Sequence, residues 1–389
     1  AAGHKELPQR SFMLTFDDGR KDGYYPVDPV LNSLHYQAVI FVISDHGLSQ
    51  ESDYYLSKSE LEEMIKSGRW NIQSHGKHSH DPIIIDKDGA QGHFFSDLLW
   101  KDDRQENKEE FKERVSDDLL ASKTDLEQGL GIRVDSFAFP FGDYGQDTTN
   151  FPGSEAITKD FATKTYALSF YQGSKGLPSN NYPSEDPFFI KRIKVDPAWD
   201  GEDLLHVLEN NLEKPLPYHE DFSINHGWSP AWGEFAIEDH ALTAKAASDA
   251  TGSMLFLEGT NTWKDYLATA TVHLVKGASF TLVARYHNEP NYVSCIFTEH
   301  AARVEEVVQS KRKILAQTAK KTILRGRDVQ AGILVNGSMV SCFINRELIV
   351  TASDLNQTID HGGIAFKTWD LMEGNSEARV EHIYIEEAH

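Results

Sequence analysis

Two adjacent carboxylates and a short histidine cluster are the residues of this chain whose types and spacing best suit metal chemistry. Asp17 and Asp18 stand where a short apolar run ends. Such a pair seldom serves packing, because neighbouring side chains on a strand point to opposite faces. Two imidazoles and one carboxylate suit zinc, cobalt or nickel and leave positions for water. Either aspartate could be the ligand, leaving the other as a base. The candidate imidazoles are His75, His78 and His80.

A third segment, FAFPFGDYG, could supply backbone donors to the same site. It follows a predicted strand and turns at Pro140, Phe141 and Gly142, a composition that exposes N–H groups of the kind found in oxyanion pockets. Taken singly, an Asp-Asp-Gly sequence is most often a turn, and most histidine clusters in loops bind no metal. Together and in this order, the three segments indicate one site.

The elements that must position these segments alternate between strands and helices up to about residue 212. Residues 12–16 are predicted to form a short buried strand, and QAVIFVI a second. A helix is predicted to begin with a capping box of Ser59 and Glu62, and a later, long helix to end at Gly131. This alternation predicts a parallel α/β fold, open or closed into a barrel, with its sites at the carboxyl ends of the strands.

The pattern changes after residues 213–222, which carry two prolines and read as a linker. From 223 to 389, short alternating strands predict an antiparallel β-sandwich. A hairpin turn is predicted at Asn336 and Gly337. The basic run 309–321 is predicted to be a solvated, helical insertion.

Composition narrows the possible partners. The 389 residues are 40% hydrophobic and carry a formal net charge of −22, which supports folded cores and argues against nucleic acid or anionic lipid as a partner. No apolar run approaches the roughly 18 residues of a membrane span. The first ten residues do not resemble a signal peptide, so we expect a mature protein or an excised soluble segment. Cys295 and Cys342 could form a disulfide or remain two buried free thiols.

The order of the three segments resembles the polysaccharide deacetylases of the NodB-homology group, carbohydrate esterase family 4, over roughly residues 10–212. The resemblance implies a distorted (β/α) barrel that removes acetyl groups from sugars with one divalent metal. It implies that Asp17 is the general base and that zinc, or alternatively cobalt or nickel, binds Asp18 and two histidines. The resulting domain prediction is a deacetylase domain at 1–212, a linker at 213–222 and a sandwich at 223–389.

The histidine spacing departs from the common family pattern, which has three residues between the two ligands. Four residues separate His75 from His80, as in the branch that deacetylates exopolysaccharide poly-N-acetylglucosamine. Only two separate His75 from His78, so we take His75 and His80 as ligands and His78 as a solvated or supporting neighbour. Gly76 stands where the family usually has Ser or Thr, so the side chain that usually supports this loop is missing.

The family's third motif usually opens with an arginine that orients the catalytic aspartate, but here Ala138 stands in its place. Arg192, in a stretch similar to one in the same branch, is expected to take over by pairing with Asp17. The alternative is a plain surface arginine. The general acid of the usual Leu-x-His motif is not found, and metal and water could do its work. Its candidates are His93, His206 and His219, while Phe141 would bind the oxyanion and Phe139, Pro140 and Tyr144 the substrate.

The resemblance implies an extracytoplasmic enzyme that deacetylates an N-acetylhexosamine-containing exopolysaccharide, and it leaves the oligomeric state open. Two alternatives remain: an O-acetyl esterase acting on xylan or another glycan, and a non-catalytic carbohydrate-binding or assembly protein. The second half loosely resembles concanavalin-like or laminin-G-like sandwiches of the jelly-roll type. It either binds sugar or only shields and positions the barrel. Its candidate sugar contacts are Trp263, Arg285, Tyr286 and Tyr292.

Overall fold

A computed structural model shows two compact units. The first comprises Ala1–Gln172 with Pro183–Arg192, and the second Gly173–Tyr182 with Ile193–His389. The first ten residues, on which the leader prediction rests, lie outside the described part, and the domain limits at 212 and 223 stay a prediction. The described residues are 11–49, 52–146, 148–173, 176–181, 186–320, 322, 325–356 and 358–388.

The first unit is built on a parallel sheet of six strands in the order β1-β2-β3-β8-β9-β10. This curved sheet is the half-barrel of a distorted (β/α) barrel, which confirms the predicted fold class. Its strands and those of two short hairpins are β1 (Thr15–Phe16), β2 (Ala38–Val42), β3 (Trp70–Ser74), β4 (Ile83–Ile84), β5 (Gln91–Gly92), β6 (Trp100–Lys101), β7 (Arg104–Gln105), β8 (Ser136–Ala138), β9 (Leu168–Gln172) and β10 (Phe189–Arg192). Its helices are α1 (Asp28–Leu34), α2 (Ser44–Gly47), α3 (Lys58–Ser67), α4 (Lys108–Leu130) and α5 (Ser154–Thr165), with 3₁₀ turns at Lys21–Gly23 and Pro140–Gly142.

The first strand is shorter than predicted. Strand β1 covers only Thr15–Phe16, and Phe12 and Met13 are exposed. The neighbouring strand explains the difference, since the β1–β2 pairing begins with Thr15 opposite Val39. Residues 12 and 13 therefore have no partner strand to cover them.

Helix α3 begins two residues earlier than predicted. The capping box consists of Ser57 and Glu60, and the Ser57 N–H donates to Glu60 Oε2 at 2.7 Å. Leu56 and Leu61 flank this cap and are both fully buried, the positions of a hydrophobic staple. Their burial fixes the start of the helix at Ser57. The long helix α4 ends as predicted at Gly131, which has the left-handed φ of 66°.

The second unit is an antiparallel sandwich, as predicted. One sheet has the order β13-β14-β25-β16-β21-β22-β23 with β11 beside β25, and the other has the order β12-β15-β24-β17-β18-β19-β20. Cys295 on β18 and Cys342 on β22 form a disulfide that joins the two sheets. The elements are α6 (Gly201–Asn210), β11 (Tyr218–Glu220), β12 (Trp228–Trp232), β13 (Glu234–Glu238), β14 (Ala241–Lys245), β15 (Gly252–Leu257), β16 (Tyr266–Lys276), β17 (Ser279–Asn288), β18 (Asn291–Thr298), β19 (Ala302–Val308), β20 (Lys311–Thr318), β21 (Asp328–Asn336), β22 (Met339–Ile344), β23 (Glu347–Ala352), β24 (Gly363–Trp369) and β25 (Glu377–Glu387).

Several local predictions for this unit need correction. The basic run 309–321 contains an edge strand, β20, and not a helix; lysines and arginines suit an edge because they discourage pairing with other chains. The β21–β22 hairpin turns at Gly337 and Ser338, one residue later than predicted. The strand β11 lies inside the predicted linker and pairs with β25. The candidate sugar contacts Trp263, Arg285, Tyr286 and Tyr292 are all at least 95% buried.

Candidate metal centre and active site

The carboxyl ends of β1 and β3 bring together one carboxylate and two imidazoles. Asp18 Oδ1 lies 3.3 Å from His75 Nε2 and 3.2 Å from His80 Nε2. Asp18 adopts a left-handed φ of 67° just after β1, and His75 directly follows β3. One ligand atom from each of the three residues lies within 4.8 Å of the other two. The three residues predicted to bind metal therefore converge on one point.

The tautomer of His75 suits a metal ligand. His75 Nδ1 lies 2.7 Å from the carbonyl oxygen of Ala138, which can only accept, so Nδ1 carries the proton. The lone pair of the neutral ring is then on Nε2, the atom that faces Asp18. A backbone carbonyl behind a ligating histidine is the usual way to fix its ring and tautomer. The donor set of two nitrogens and one oxygen fits zinc, cobalt or nickel.

The ionisation of Asp18 also favours a cation. Burial alone would raise the pKa of Asp18, but its close contacts with the His75 and His80 rings outweigh burial and hold that pKa far below its usual range. The hydrogen bond to Asp18 raises the pKa of His80. The Asp18 carboxylate is therefore ionised and attracts a cation, and a metal would have to displace any proton on His80 Nε2.

Arg192, at the end of β10, binds Asp17 through a two-pronged ion pair. Its Nη1 and Nη2 donate to Asp17 Oδ1 and Oδ2 at 2.7 and 2.8 Å, and Nη1 also lies 3.3 Å from Thr15 Oγ1. Burial would raise the pKa of Asp17, but the charge of His75 and the hydrogen bond and charge of Arg192 lower it overall. The guanidinium therefore holds an ionised carboxylate in one orientation beside the candidate metal ligands.

The β1–β10 contact also shapes the sheet. Strands β1 and β10 are the two outermost strands of the six-stranded order, yet Arg192 spans from one to the other. Its side chain is only 10% exposed, and its guanidinium carbon lies 5.5 Å from the centre of the Phe41 ring on β2. The parallel sheet is thus curved enough for its two edges to meet at the site.

The histidine loop is supported from helix α4, by a residue that the sequence analysis did not identify. Asp118 is buried and accepts the backbone N–H groups of Lys77 at 3.2 Å and of His78 at 2.7 Å. Gly76 has a φ of 87°, and a Cβ there would lie 1.9 Å from Ser79 Oγ, so a side chain does not fit. Asp118 therefore provides support to the loop that no side chain at position 76 can give. The signal was present, because a carboxylate on the apolar stripe of an amphipathic helix needs a partner.

A ring stack connects His80, one of the candidate metal ligands, to His93. The Phe141 ring is about half exposed, and its centre lies 4.7 Å from that of His80 and 5.2 Å from that of His93. His93 Nδ1 lies 2.7 Å from Asp143 Oδ2. Asp143 is buried and also accepts the Ser96 hydroxyl and, at 2.9 Å, the Gly145 N–H. His93 is therefore oriented by a fixed carboxylate at the rim of the site.

The other predicted site residues have different surroundings. His78 is exposed, and so are His206 and His219, which belong to the second unit. The side chains of Phe139 and Pro140 are buried, which leaves their main-chain groups for any contact with substrate, and their role in substrate binding stays a prediction. Phe139 continues the central strand β8 into the aromatic core and packs against Phe95, Phe137 and Phe189. Tyr144 is half-buried and packs against Phe139, Tyr171 and Phe189, under the ammonium group of Lys159.

Two tyrosines beside the aspartate loop were also missed. Tyr55 forms a β-bridge with Arg20 and stacks on the His46 ring, with centres 4.3 Å apart and planes inclined by 10°. Burial and then the charge of Asp18 raise the pKa of Tyr55, which places its hydroxyl in the field of the metal site. Tyr54 is about half exposed, and the Arg20 guanidinium covers its ring at 4.5 Å. Two adjacent tyrosines in a polar loop are the feature of the sequence that could have drawn attention to them.

Comparisons with known proteins show similarity to deacetylases over part of the chain. Residues 4–153 match the family model described as polysaccharide deacetylase. The poly-beta-1,6-N-acetyl-D-glucosamine N-deacetylase of Staphylococcus epidermidis is 24% identical over 208 residues, which cover 51% of this chain and 62% of that protein. The chain thus spans under two thirds of the length of this relative. Among the described residues, no helix is long and apolar enough to cross a membrane.

Two solved structures each match part of the chain. A de-N-acetylase from Aggregatibacter actinomycetemcomitans has a TM-score of 0.44 and 20% identity, with coverage of 52% of this chain and 76% of that one. The carbohydrate binding module CBM66 from Bacillus subtilis has a TM-score of 0.36 and 14% identity, with coverage of 41% and 95%.

Proposed function

We propose that the chain, whose residues 4–153 match the polysaccharide deacetylase family model, is a metal-dependent hydrolase that removes N-acetyl groups from a poly-N-acetylglucosamine exopolysaccharide. The observation that carries the proposal is the convergence of Asp18, His75 and His80 beside the Asp17–Arg192 pair. The name of the Staphylococcus epidermidis relative supports the choice of substrate. The disulfide supports an extracytoplasmic location, since such bonds persist in oxidising compartments.

Asp18, His75 and His80 would hold one divalent metal, zinc by default. When bound, such a metal supplies Lewis-acid chemistry, which polarises the acetyl carbonyl and lowers the pKa of a water molecule toward about 7. The chain's own part in binding is to keep His75 in the Nε2-facing tautomer through Ala138 and to keep the histidine loop closed through Asp118.

Asp17 would act as the general base. It accepts a proton from the attacking water, whose oxygen forms a bond to the acetyl carbon. Arg192 holds the carboxylate in the orientation for this transfer and keeps it ionised beforehand. The backbone N–H of Phe141 would donate to the oxyanion that develops on the acetyl oxygen, and losing one such donor typically costs about 3 kcal/mol.

His93 would be the general acid. The C–N bond breaks with its electron pair moving to the nitrogen, which takes a proton from His93 as acetate forms. Asp143 fixes Nδ1 of the ring, so Nε2 is the atom that can face the leaving amine. The side chain of His93 is about half exposed, as expected for a group that must reach a polymeric substrate.

Acetate release from N-acetylglucosamine oligomers and from an O-acetylated xylan, before and after chelation and zinc restoration, tests the proposal. We expect chelator-sensitive release from the N-acetylated oligomers, abolished by Asp17→Asn with metal content unchanged. The matched control is Asp22→Asn, an exposed carboxylate that pairs with Arg20. Release from the xylan alone would support the esterase. Bound metal without release from either substrate would contradict the enzymatic function.

A further inference from the structure

The outer face of the seven-stranded sheet carries a groove that the deacetylase chemistry does not use. The alternate residues of these strands, such as Leu255, Phe366 and Cys295, point into the core between the sheets. Their neighbours face outward, and the strand register places six of them side by side across six strands, about 24 Å. In order, the row is Trp232, Met254, Lys367, Thr281, Ile296 and Arg303.

The groove encloses about 270 Å³ and has aromatic and cationic walls. Trp232 and Trp369, both partly exposed, belong to its lining, and Lys367 Nζ lies 5.5 Å from the centre of the Trp232 ring. Arg303, Arg312 and Glu305 line its other end. Three cations therefore face one carboxylate here, although the whole chain has a net charge of −22.

The cations of this groove have unused binding capacity. Arg303 approaches Glu305 only to 3.6 Å, and its buried Nε has no hydrogen-bond partner. Within the described ranges, neither Lys367 nor Arg312 has an ion pair or hydrogen bond from its charged group. Burial, with the nearby charge of Arg312, lowers the pKa of Lys367 to about 8. The charges of Glu305 and, to a smaller extent, Glu289 act on the pKa of Lys367 in the opposite direction.

We propose that this groove binds an acidic glycan, with the carboxylates of successive hexuronate residues on Arg303, Arg312 and Lys367 and sugar rings against Trp232 and Trp369. The charge of the groove, opposite to that of the chain, selects an anionic polymer over the amine-bearing product of deacetylation. Arginine and lysine provide the donors that carboxylates accept, and indole rings provide flat apolar faces for sugar rings. The sandwich therefore holds the chain on an acidic matrix, a function separate from hydrolysis.

Calorimetric titration of the full chain tests this assignment with three ligands: a galacturonic acid oligomer, its neutral methyl ester and a glucosamine oligomer. We expect binding to the acid form only, weakened by salt. Arg312→Gln and Lys367→Met should each lower the affinity about tenfold, the usual loss for a hydrogen bond to a charged group. Trp369→Ala should also weaken binding.

Lys313→Gln is the matched control, because Lys313 neighbours Arg312 on β20 but pairs with Glu306 outside the groove. Arg312 is exposed, so its replacement leaves the fold intact, and circular dichroism checks this. The proposal is overturned by no binding to the acid, by equal affinity for the acid and its ester, or by equal weakening in Lys313→Gln. None of these outcomes depends on acetate release.

Discussion

Replacing Arg192 by Gln separates orientation of the base from metal binding. The substitution removes two hydrogen bonds of 2.7 and 2.8 Å to the Asp17 carboxylate, whose side chain is 24% exposed. Each hydrogen bond to a charged group contributes about 1.5–3 kcal/mol. Because water can reach part of the carboxylate, we take the total near the value of one strong bond, about 3 kcal/mol. That corresponds to a loss of about 10²-fold in kcat/KM.

The same variant should change the pH dependence in a defined direction. Arg192 is among the groups that lower the pKa of Asp17, so its loss raises that pKa. The acidic limb of the kcat/KM profile then moves to higher pH. A carboxyl whose pKa is depressed on folding stabilises the fold above the pKa of the unfolded chain and loses that contribution as the pH falls. The wild type should therefore exceed the variant in stability at neutral pH, and the difference should shrink in acid.

The assay is acetate release across pH, with metal content measured on the same samples. Arg69→Gln is the control, since Arg69 forms a similar two-pronged pair with Asp28 at the opposite end of β3. We expect Arg69→Gln to lower stability but not kcat/KM per folded, metal-loaded molecule. An Arg192→Gln variant with kcat/KM and acidic limb unchanged would refute the orienting role, and equal losses in both variants would indicate general destabilisation.

Three further predictions follow from the described contacts. Asp118→Ala should weaken metal affinity about 10–100-fold, as loss of an outer support typically does, measured by competition with a chelator. His93→Gln should lower kcat on N-acetylated oligomers about 10²–10⁴-fold but much less on an aryl acetate, whose leaving group needs no acid; equal losses on both would contradict the role. Cys295→Ser with Cys342→Ser should lower the unfolding free energy of the sandwich by about 4 kcal/mol, given the 47-residue separation, in denaturant titrations.

The sequence was most informative where chemistry depends on residues that follow strands. Asp18 and His75 each lie in a segment that follows a predicted short strand, and parallel strands end at one edge, so their meeting could be anticipated. Arg192 lies 175 residues from Asp17 and was placed through a resemblance, not through spacing. Residue types alone could not show whether the Phe139 side chain is buried or accessible, because a strand covered on both faces buries every side chain.

The supports of the site were harder to predict than its ligands. Asp118 and Asp143 are ordinary carboxylates in the sequence, and only the packing of α4 and of the turn after β8 aims them at the histidine loop and at His93. Contacts of this kind join segments that local patterns treat independently. The same limit applies to β20, whose basic composition concealed an edge strand.

Because the two sheet edges meet at Arg192, the orientation of the proposed base Asp17 depends on the last strand of the sheet being in place. All three proposed metal ligands precede residue 81, whereas the partner of Asp17 is the last residue of β10. During synthesis, a metal site could therefore exist well before an oriented base does. With the proposed roles, a nascent or truncated chain that ends before β10 would hold metal without an oriented base, and hydrolysis would require the residue that completes the half-barrel.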